Sequence, residues 1–117
     1  MAQIEIPETW RTAVCAILGT EATGRLIEWT KDAQTRFKAD SDAGWNYELY
    51  DALKTFLTVG PATGCLVTME VPPGETYEFY FQFHAKTFYG KILLRSDRKR
   101  VLIFSAHLPR KPRLSCE

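Results

Sequence analysis

The sequence has few of the residues that build metal sites and disulfide frameworks. It contains three cysteines and two histidines, with no Cys-x-x-Cys pair. Because Cys15, Cys65 and Cys116 lie far apart in the chain, neither a disulfide framework nor a zinc site is expected. We expect Cys15 and Cys65 to be buried small apolar residues. No metal and no cofactor are expected.

Long hydrophobic runs are also missing. No stretch approaches the roughly 18 apolar residues that a membrane span needs. The N-terminus lacks the basic and apolar regions of a secretory signal, so a cytoplasmic protein without membrane contact is expected. The composition, 45% hydrophobic and 25% charged, is that of a globular domain and excludes disordered and collagen-like chains. The length of 117 residues suits one compact domain.

The chain carries little net charge, but its charges are unevenly distributed. Residues 1–75 contain 6 Lys and Arg against 11 Asp and Glu, whereas residues 76–117 contain 9 against 3. The two parts therefore differ in sign, with net charges of −5 and +6. A basic C-terminal part is typical of a surface that binds a polyanion such as RNA.

The first 60 residues predict helices. Apolar side chains recur at helical spacing after Pro7, in a segment that ends near Lys38, and from Trp45 to Val59. One face of the second segment carries Leu26, Ile27, Thr30, Ala33 and Phe37. Its N-terminal cap is expected among Thr20, Glu21 and Thr23. A single helical hairpin is the alternative for the second and third segments.

From Gly64 onward the period of the apolar residues changes from helical to alternating. Four strands are predicted, at about 65–71, 77–83, 88–95 and 100–107. The second strand has one aromatic face, formed by Tyr77, Phe79, Phe81 and Phe83. The sequence therefore predicts a single α+β domain over residues 1–117. N-terminal helices (about 1–60) pack on one face of a four-stranded antiparallel meander (about 64–107), and a basic tail (108–117) follows.

The turn between the second and third strands sets their pairing. A turn at Ala85-Lys86 pairs Phe83 with Phe88 and keeps all four aromatic residues on the apolar face. Its other predicted pairs are Phe81 with Gly90, Phe79 with Ile92, Tyr77 with Leu94, Gln82 with Tyr89, and Tyr80 with Lys91.

The last hairpin allows two registers, because residues 101–104 are apolar on both faces. A three-residue loop places His107 beside Tyr89, whereas a two-residue loop turns His107 toward the helices. We prefer the first register, because the second buries an imidazole among phenyl rings. This register also pairs Ser105 with Lys91 and Val101 with Arg95, and it leaves Leu102, Phe104 and Ala106 to cover the aromatic face.

The polar face then carries groups suited to cleaving RNA without a metal. Such a reaction needs a proton acceptor, cations around the phosphate and a proton donor. His107 is the candidate acid or base, since histidine exchanges protons near neutral pH. Lys91 and Arg95 are candidate phosphate ligands, and Tyr89 is a candidate for stacking or proton transfer. The candidate RNA-binding residues are Tyr80, Arg110, Lys111 and Arg113.

This arrangement resembles the RelE/ParE-type toxins and the wider group of barnase-, colicin- and EndoU-like ribonucleases. The likeness lies in helices followed by an antiparallel meander, with basic residues on its central strands and a histidine near its end. It is carried by residues 88–94 (FYGKILL) and 100–111 (RVLIFSAHLPRK). The resemblance implies a toxin that cleaves mRNA or tRNA and is neutralised by an antitoxin that covers the sheet.

Two other functions stay open on the sequence alone. The acidic helical part could bind a basic partner, as in a non-enzymatic interaction module of the immunity or antitoxin type. A small ligand-binding α+β domain is the other alternative. In that case Trp45, Tyr47 and Tyr50 would line a pocket between the helices and the sheet.

Overall fold

A computed structural model describes residues 3–20, 25–69 and 71–117. It is an α+β structure in which three helices pack on a six-stranded sheet. The elements in chain order are β1 (Ile4–Glu5), α1 (Glu8–Leu18), β2 (Ile27–Trp29), α2 (Lys31–Asp40), α3 (Asn46–Thr58), β3 (Thr63–Val67), β4 (Gly74–Phe83), β5 (Lys86–Arg95) and β6 (Val101–His107). None of these helices has the length and apolar character that crossing a bilayer requires.

The sheet contains two strands more than the sequence predicts. Its order is β1-β3-β4-β5-β6-β2, so the predicted four-stranded meander forms the centre. β1 adds to β3 in antiparallel fashion, and β2 adds to β6 in parallel. Both edge strands are only two or three residues long, which is too short for an alternating pattern to be recognised.

The second predicted helix is wrong in its first half. Residues Ile27–Trp29 form β2, and the helix α2 begins only at Lys31. The side chain of Thr30 caps α2 by accepting a hydrogen bond from the backbone N–H of Ala33 at 3.0 Å. Of the predicted cap residues, Glu21 and Thr23 lie outside the described residues. The strand β2 is only three residues long, which is less than one helical turn. The spacing of the apolar residues therefore could not distinguish this strand from the start of a helix.

The aromatic face of β4 lies in the hydrophobic core, as predicted. Tyr77, Phe79, Phe81 and Phe83 are at most 3% exposed. All three helices cover them with aromatic side chains. The covering pairs are Trp10 of α1 with Tyr77, Phe56 of α3 with Phe79, and Phe37 of α2 with Phe83.

The β4–β5 register differs from the prediction by two residues. The turn is His84-Ala85, and both residues have positive φ, at 48° and 63°. A shift of two residues leaves every side chain on its predicted face but changes its neighbour. The observed pairs include Phe83–Lys86, Phe81–Phe88, Phe79–Gly90, Tyr77–Ile92, Gln82–Thr87, Tyr80–Tyr89 and Glu78–Lys91. The six pairs predicted from an Ala85-Lys86 turn are therefore wrong.

In the last hairpin, the preferred register is confirmed only at the C-terminal end of β6. His107 lies opposite Tyr89 and Ser105 opposite Lys91, as predicted. A β-bulge then shifts the pairing, so Val101 lies opposite Leu94 instead of Arg95. Of the three residues expected to cover the aromatic face, Ala106 belongs to the core cluster, whereas Leu102 and Phe104 do not.

The C-terminal residues 108–117, called here the C-terminal tail, are held against the sheet. Cys116 forms a disulfide with Cys65 of β3, with 5.7 Å between the Cα atoms. The expectation that the cysteines are unpaired is wrong for these two, because the fold brings together residues that are 51 positions apart. Cys15 is free, half-buried and packed against the core.

Candidate functional site

The tail and the sheet enclose a cavity on the open face, which is the face of the sheet turned away from the helices. Its volume is about 240 Å³. We call it the tail cavity. It is lined by Glu78, Tyr80, Tyr89, His107, Pro109, Arg110, Lys111, Arg113, Leu114 and Ser115. Six of the eight predicted site residues are therefore brought together.

His107 lies at the end of β6 and is 7% exposed. Its Nδ1 atom is 2.7 Å from the carbonyl oxygen of Leu108. A carbonyl only accepts hydrogen bonds, so Nδ1 carries the proton in the neutral ring. The other ring nitrogen, Nε2, then holds the lone pair and has no hydrogen bond to a described residue. This tautomer leaves Nε2 available as a proton acceptor.

Tyr89 faces His107 across the strand pair, with 5.5 Å between the ring centroids. Its hydroxyl donates a hydrogen bond to Oε2 of Glu78 at 2.6 Å. Burial, followed by this carboxylate, raises the pKa of the Tyr89 hydroxyl. The proton on Tyr89 is therefore firmly held, which disfavours proton transfer and leaves stacking as the role that fits its ring.

Glu78 is a member of the cavity that the sequence reasoning did not single out. It is 5% exposed, and its second carboxylate oxygen accepts a hydrogen bond from the backbone N–H of Ser115 in the tail. Burial alone raises the pKa of Glu78, but hydrogen bonds from Ser115 and Tyr89 and the charge of Lys91 lower it below the ordinary value. The predicted register placed Tyr80 opposite Lys91, so the pairing of Glu78 with Lys91 was missed. That pairing is the signal that could have indicated a buried carboxylate at Glu78.

The tail contributes three cations to the cavity. Arg110 is tied in place, because its guanidinium lies 2.8 Å from the Asp40 carboxylate and also donates to the carbonyl of Leu108. Lys111 and Arg113 are exposed. Neither forms an ion pair with a carboxylate in the described parts of the chain. Both can therefore bind an anion that enters the cavity.

Tyr80 forms the aromatic wall on the β4 side. Its ring lies edge-on to Tyr89, with 6.5 Å between the centroids. Burial, followed by the charges of Glu117 and Glu78, raises the pKa of the Tyr80 hydroxyl. A planar group such as a nucleobase can stack against this wall.

Lys91 and Arg95 share the open face but lie outside the tail cavity. The Lys91 ammonium lies 5.4 Å from the centroid of the Phe104 ring. The guanidinium of Arg95 lies 2.6 Å from the Glu28 carboxylate of β2. Arg95 is also six residues beyond Tyr89, about 20 Å along the strand. These two predicted phosphate ligands are therefore not gathered around His107.

A second, open groove of about 540 Å³ lies beside the β4–β5 turn. Trp45 and Tyr47 on its rim are 67% and 53% exposed. The groove also contains Asp40, Asp42 and Glu48. Tyr50 does not line it, because Tyr50 is buried and its hydroxyl accepts a hydrogen bond from Trp29 at 2.8 Å.

Over residues 3–20, 25–69 and 71–117, no group of three or more His, Cys, Asp or Glu side chains is arranged to hold a metal ion. Comparisons with family models, with curated proteins and with solved structures find no match to this chain. The side chains that line the tail cavity supply an imidazole, exposed cations and two aromatic rings.

Proposed function

We propose that the protein is a small metal-independent endoribonuclease of the toxin type, with the tail cavity as its active site. One observation carries the proposal. The Nδ1 atom of His107 is hydrogen-bonded to the Leu108 carbonyl, and Nε2, which has no hydrogen bond to a described residue, belongs to a ring that lines the same cavity as Lys111 and Arg113. A proton acceptor next to exposed cations is what cleavage of a phosphodiester at a 2′-hydroxyl needs.

In the proposed reaction, Nε2 of His107 takes the proton of the 2′-hydroxyl, and the 2′-oxygen forms a bond to phosphorus. The bond between phosphorus and the 5′-oxygen breaks, the departing oxygen takes a proton from water, and the hydroxide left behind takes the proton from Nε2 of His107. The products are a 2′,3′-cyclic phosphate and a free 5′-hydroxyl. Lys111 and Arg113 bind the phosphate oxygens, whose negative charge grows in the transition state. DNA is not a substrate, because it lacks the 2′-hydroxyl.

Lys91 and Arg95 have different roles in this proposal from the ones that the sequence suggested. Each lies outside the cavity next to another side chain, Lys91 at Phe104 and Arg95 at Glu28. We place them along the path of the RNA strand and not at the phosphate that is cleaved. Arg110, already tied to Asp40, orients the tail.

The decisive experiment is incubation of the protein with a 5′-labelled RNA in the presence of EDTA. Wild type should cleave it, and His107→Ala should be slower by about 100-fold or more. His84→Ala is the matched control, because this histidine is exposed at the β4–β5 turn and paired with Glu48. RNA left intact by wild type, or equal rates for wild type and His107→Ala, would refute the proposal.

Two features of the cell biology belong to the same proposal. We place the protein in the cytoplasm, with mRNA or tRNA as substrate and an antitoxin as protein partner. Expression in a bacterial host should arrest growth, and His107→Ala should relieve the arrest.

Reducing compartments such as the cytoplasm keep cysteines as thiols. Alkylation of the protein in intact cells therefore reports whether Cys65 and Cys116 are paired there.

A non-enzymatic interaction module is the second candidate, and the open groove favours it. Exposed Trp45 and Tyr47 next to Asp42 suit a basic peptide, because aromatic and acidic groups bind Lys and Arg side chains. Under this alternative the protein is harmless when expressed. Trp45→Ala would then abolish capture of its basic partner, whereas His107→Ala would not.

A further inference from the structure

We infer that the open face carries a base-stacking subsite at Phe104, which together with Lys91 binds single-stranded RNA beside the tail cavity. The inference rests on the proposed function and extends it to the class of substrate. It predicts that the protein prefers an unpaired strand of several nucleotides to a dinucleotide.

The first support is the position of Phe104 at the β-bulge. Ile103 and Ala106 on either side of it belong to the core cluster, whereas Phe104 is partly exposed and does not. A bulge redirects the side chain of the extra residue. Here it places a phenyl ring on the side of the sheet that carries Lys91, where packing against the helices does not account for it.

The second support is the contact between Phe104 and Lys91. The ammonium lies 5.4 Å from the ring centroid, so the cation is already held beside an aromatic surface. Its four-carbon chain is flexible enough to move from the ring to a phosphate. A stacked base and a bound phosphate are the two contacts that proteins make with each nucleotide of a single strand.

The third support is the spacing along the sheet. The Lys91–Ser105 pair lies two residues from the Tyr89–His107 pair, a distance of about 7 Å. One extended nucleotide spans such a distance. A strand whose reacting dinucleotide occupies the tail cavity therefore brings the base of the next nucleotide to Phe104.

The positive charge of this surface and the partial burial of the Phe104 ring favour a single-stranded nucleic acid. Beyond Phe104 lie Arg95, at the end of β5 and paired with Glu28, and the exposed Arg100, whose carbonyl accepts a hydrogen bond from the backbone N–H of Arg95. A partly buried ring can only meet a base that is splayed out of its helix, so a duplex cannot use this subsite.

The test compares two RNA substrates and two substitutions. Phe104→Leu keeps the apolar volume but removes the aromatic face, and Phe104→Trp restores an aromatic face. With an unstructured hexanucleotide, Phe104→Leu should raise KM about tenfold with little change in kcat, since the stacking of one base on an aromatic ring is lost. Phe104→Trp should restore the wild-type KM. With a dinucleotide, both variants should match wild type.

Tyr47→Leu is the matched control, because it removes an exposed aromatic residue from the other groove and should leave both substrates unaffected. Binding of a 2′-O-methyl hexanucleotide, followed by fluorescence anisotropy, separates this inference from the proposed function. Weaker binding by Phe104→Leu supports the subsite even if no RNA is cleaved. Unchanged binding and KM in Phe104→Leu, or an equal loss with the dinucleotide, overturns the subsite while leaving the cleavage proposal intact. Wild type that binds no RNA overturns both.

Discussion

The hydroxyl of Tyr89 donates a 2.6 Å hydrogen bond to the carboxylate of Glu78 on the neighbouring strand. The other oxygen of that carboxylate accepts from the backbone N–H of Ser115. One buried side chain thus joins β4, β5 and the C-terminal tail beneath the tail cavity. Because the tail carries Lys111 and Arg113, Glu78 positions the cations as well as the aromatic wall.

The role of Glu78 predicts how stability depends on pH. Folding lowers the pKa of Glu78 below its ordinary value of 4.5. Its stabilising contribution is therefore complete above that value and is lost as the pH falls through the folded pKa. We expect the free energy of unfolding, measured with urea, to fall more steeply below about pH 4.5 in wild type than in Glu78→Gln. Parallel pH curves for the two proteins would contradict this role.

The disulfide between Cys65 and Cys116 predicts a large effect on stability. It closes a loop of 51 residues, for which chain entropy gives a stabilisation of about 4 kcal/mol. Cys116→Ser should lose an amount of this order in urea denaturation. Alkylation of the denatured wild type should label one thiol before reduction and three after it. Three labelled thiols without reduction would contradict the pairing.

Gly90 provides a test of the packing between β5 and the aromatic side chains of β4. In the observed register Gly90 lies opposite Phe79, and an added Cβ would lie 2.8 Å from that ring. Phe79 cannot move aside, because it is fully buried and stacked on Phe56. Gly90→Ala should therefore cost about 1–3 kcal/mol of the unfolding free energy. Gly60→Ala, where a Cβ meets open space, should stay within about 0.5 kcal/mol of wild type.

The features that the sequence predicts correctly depend on periodicity over many residues. The four aromatic residues of β4 alternate over seven positions, and the strand could bury them in only one way. The pairing of His107 with Tyr89 followed from the cost of burying an imidazole among phenyl rings. These two inferences locate most of the tail cavity, including Tyr80 and the basic tail residues.

The features that it misses depend on contacts between distant parts of the chain. Nothing in the spacing of Cys65 and Cys116 indicates that the tail returns across the open face. Without that return, Glu78 is one polar residue among several on β4. The bulge that moves Phe104 out of the core also leaves no mark in an apolar run such as residues 101–104, which fits either face.

The turn at His84-Ala85 explains the error in register and predicts a stabilising substitution. Two-residue hairpin turns with positive φ at both positions favour Asn and Gly, and this chain has neither there. Ala85 adopts φ of 63°, which costs an L-residue about 1 kcal/mol. Ala85→Gly should therefore raise the unfolding free energy by up to that amount. Ala16→Gly, the same change on the exposed side of α1, should lower it by about 1 kcal/mol. Thermal unfolding of both variants measures whether each substitution stabilises or destabilises the protein. A loss of stability in Ala85→Gly would argue against this turn.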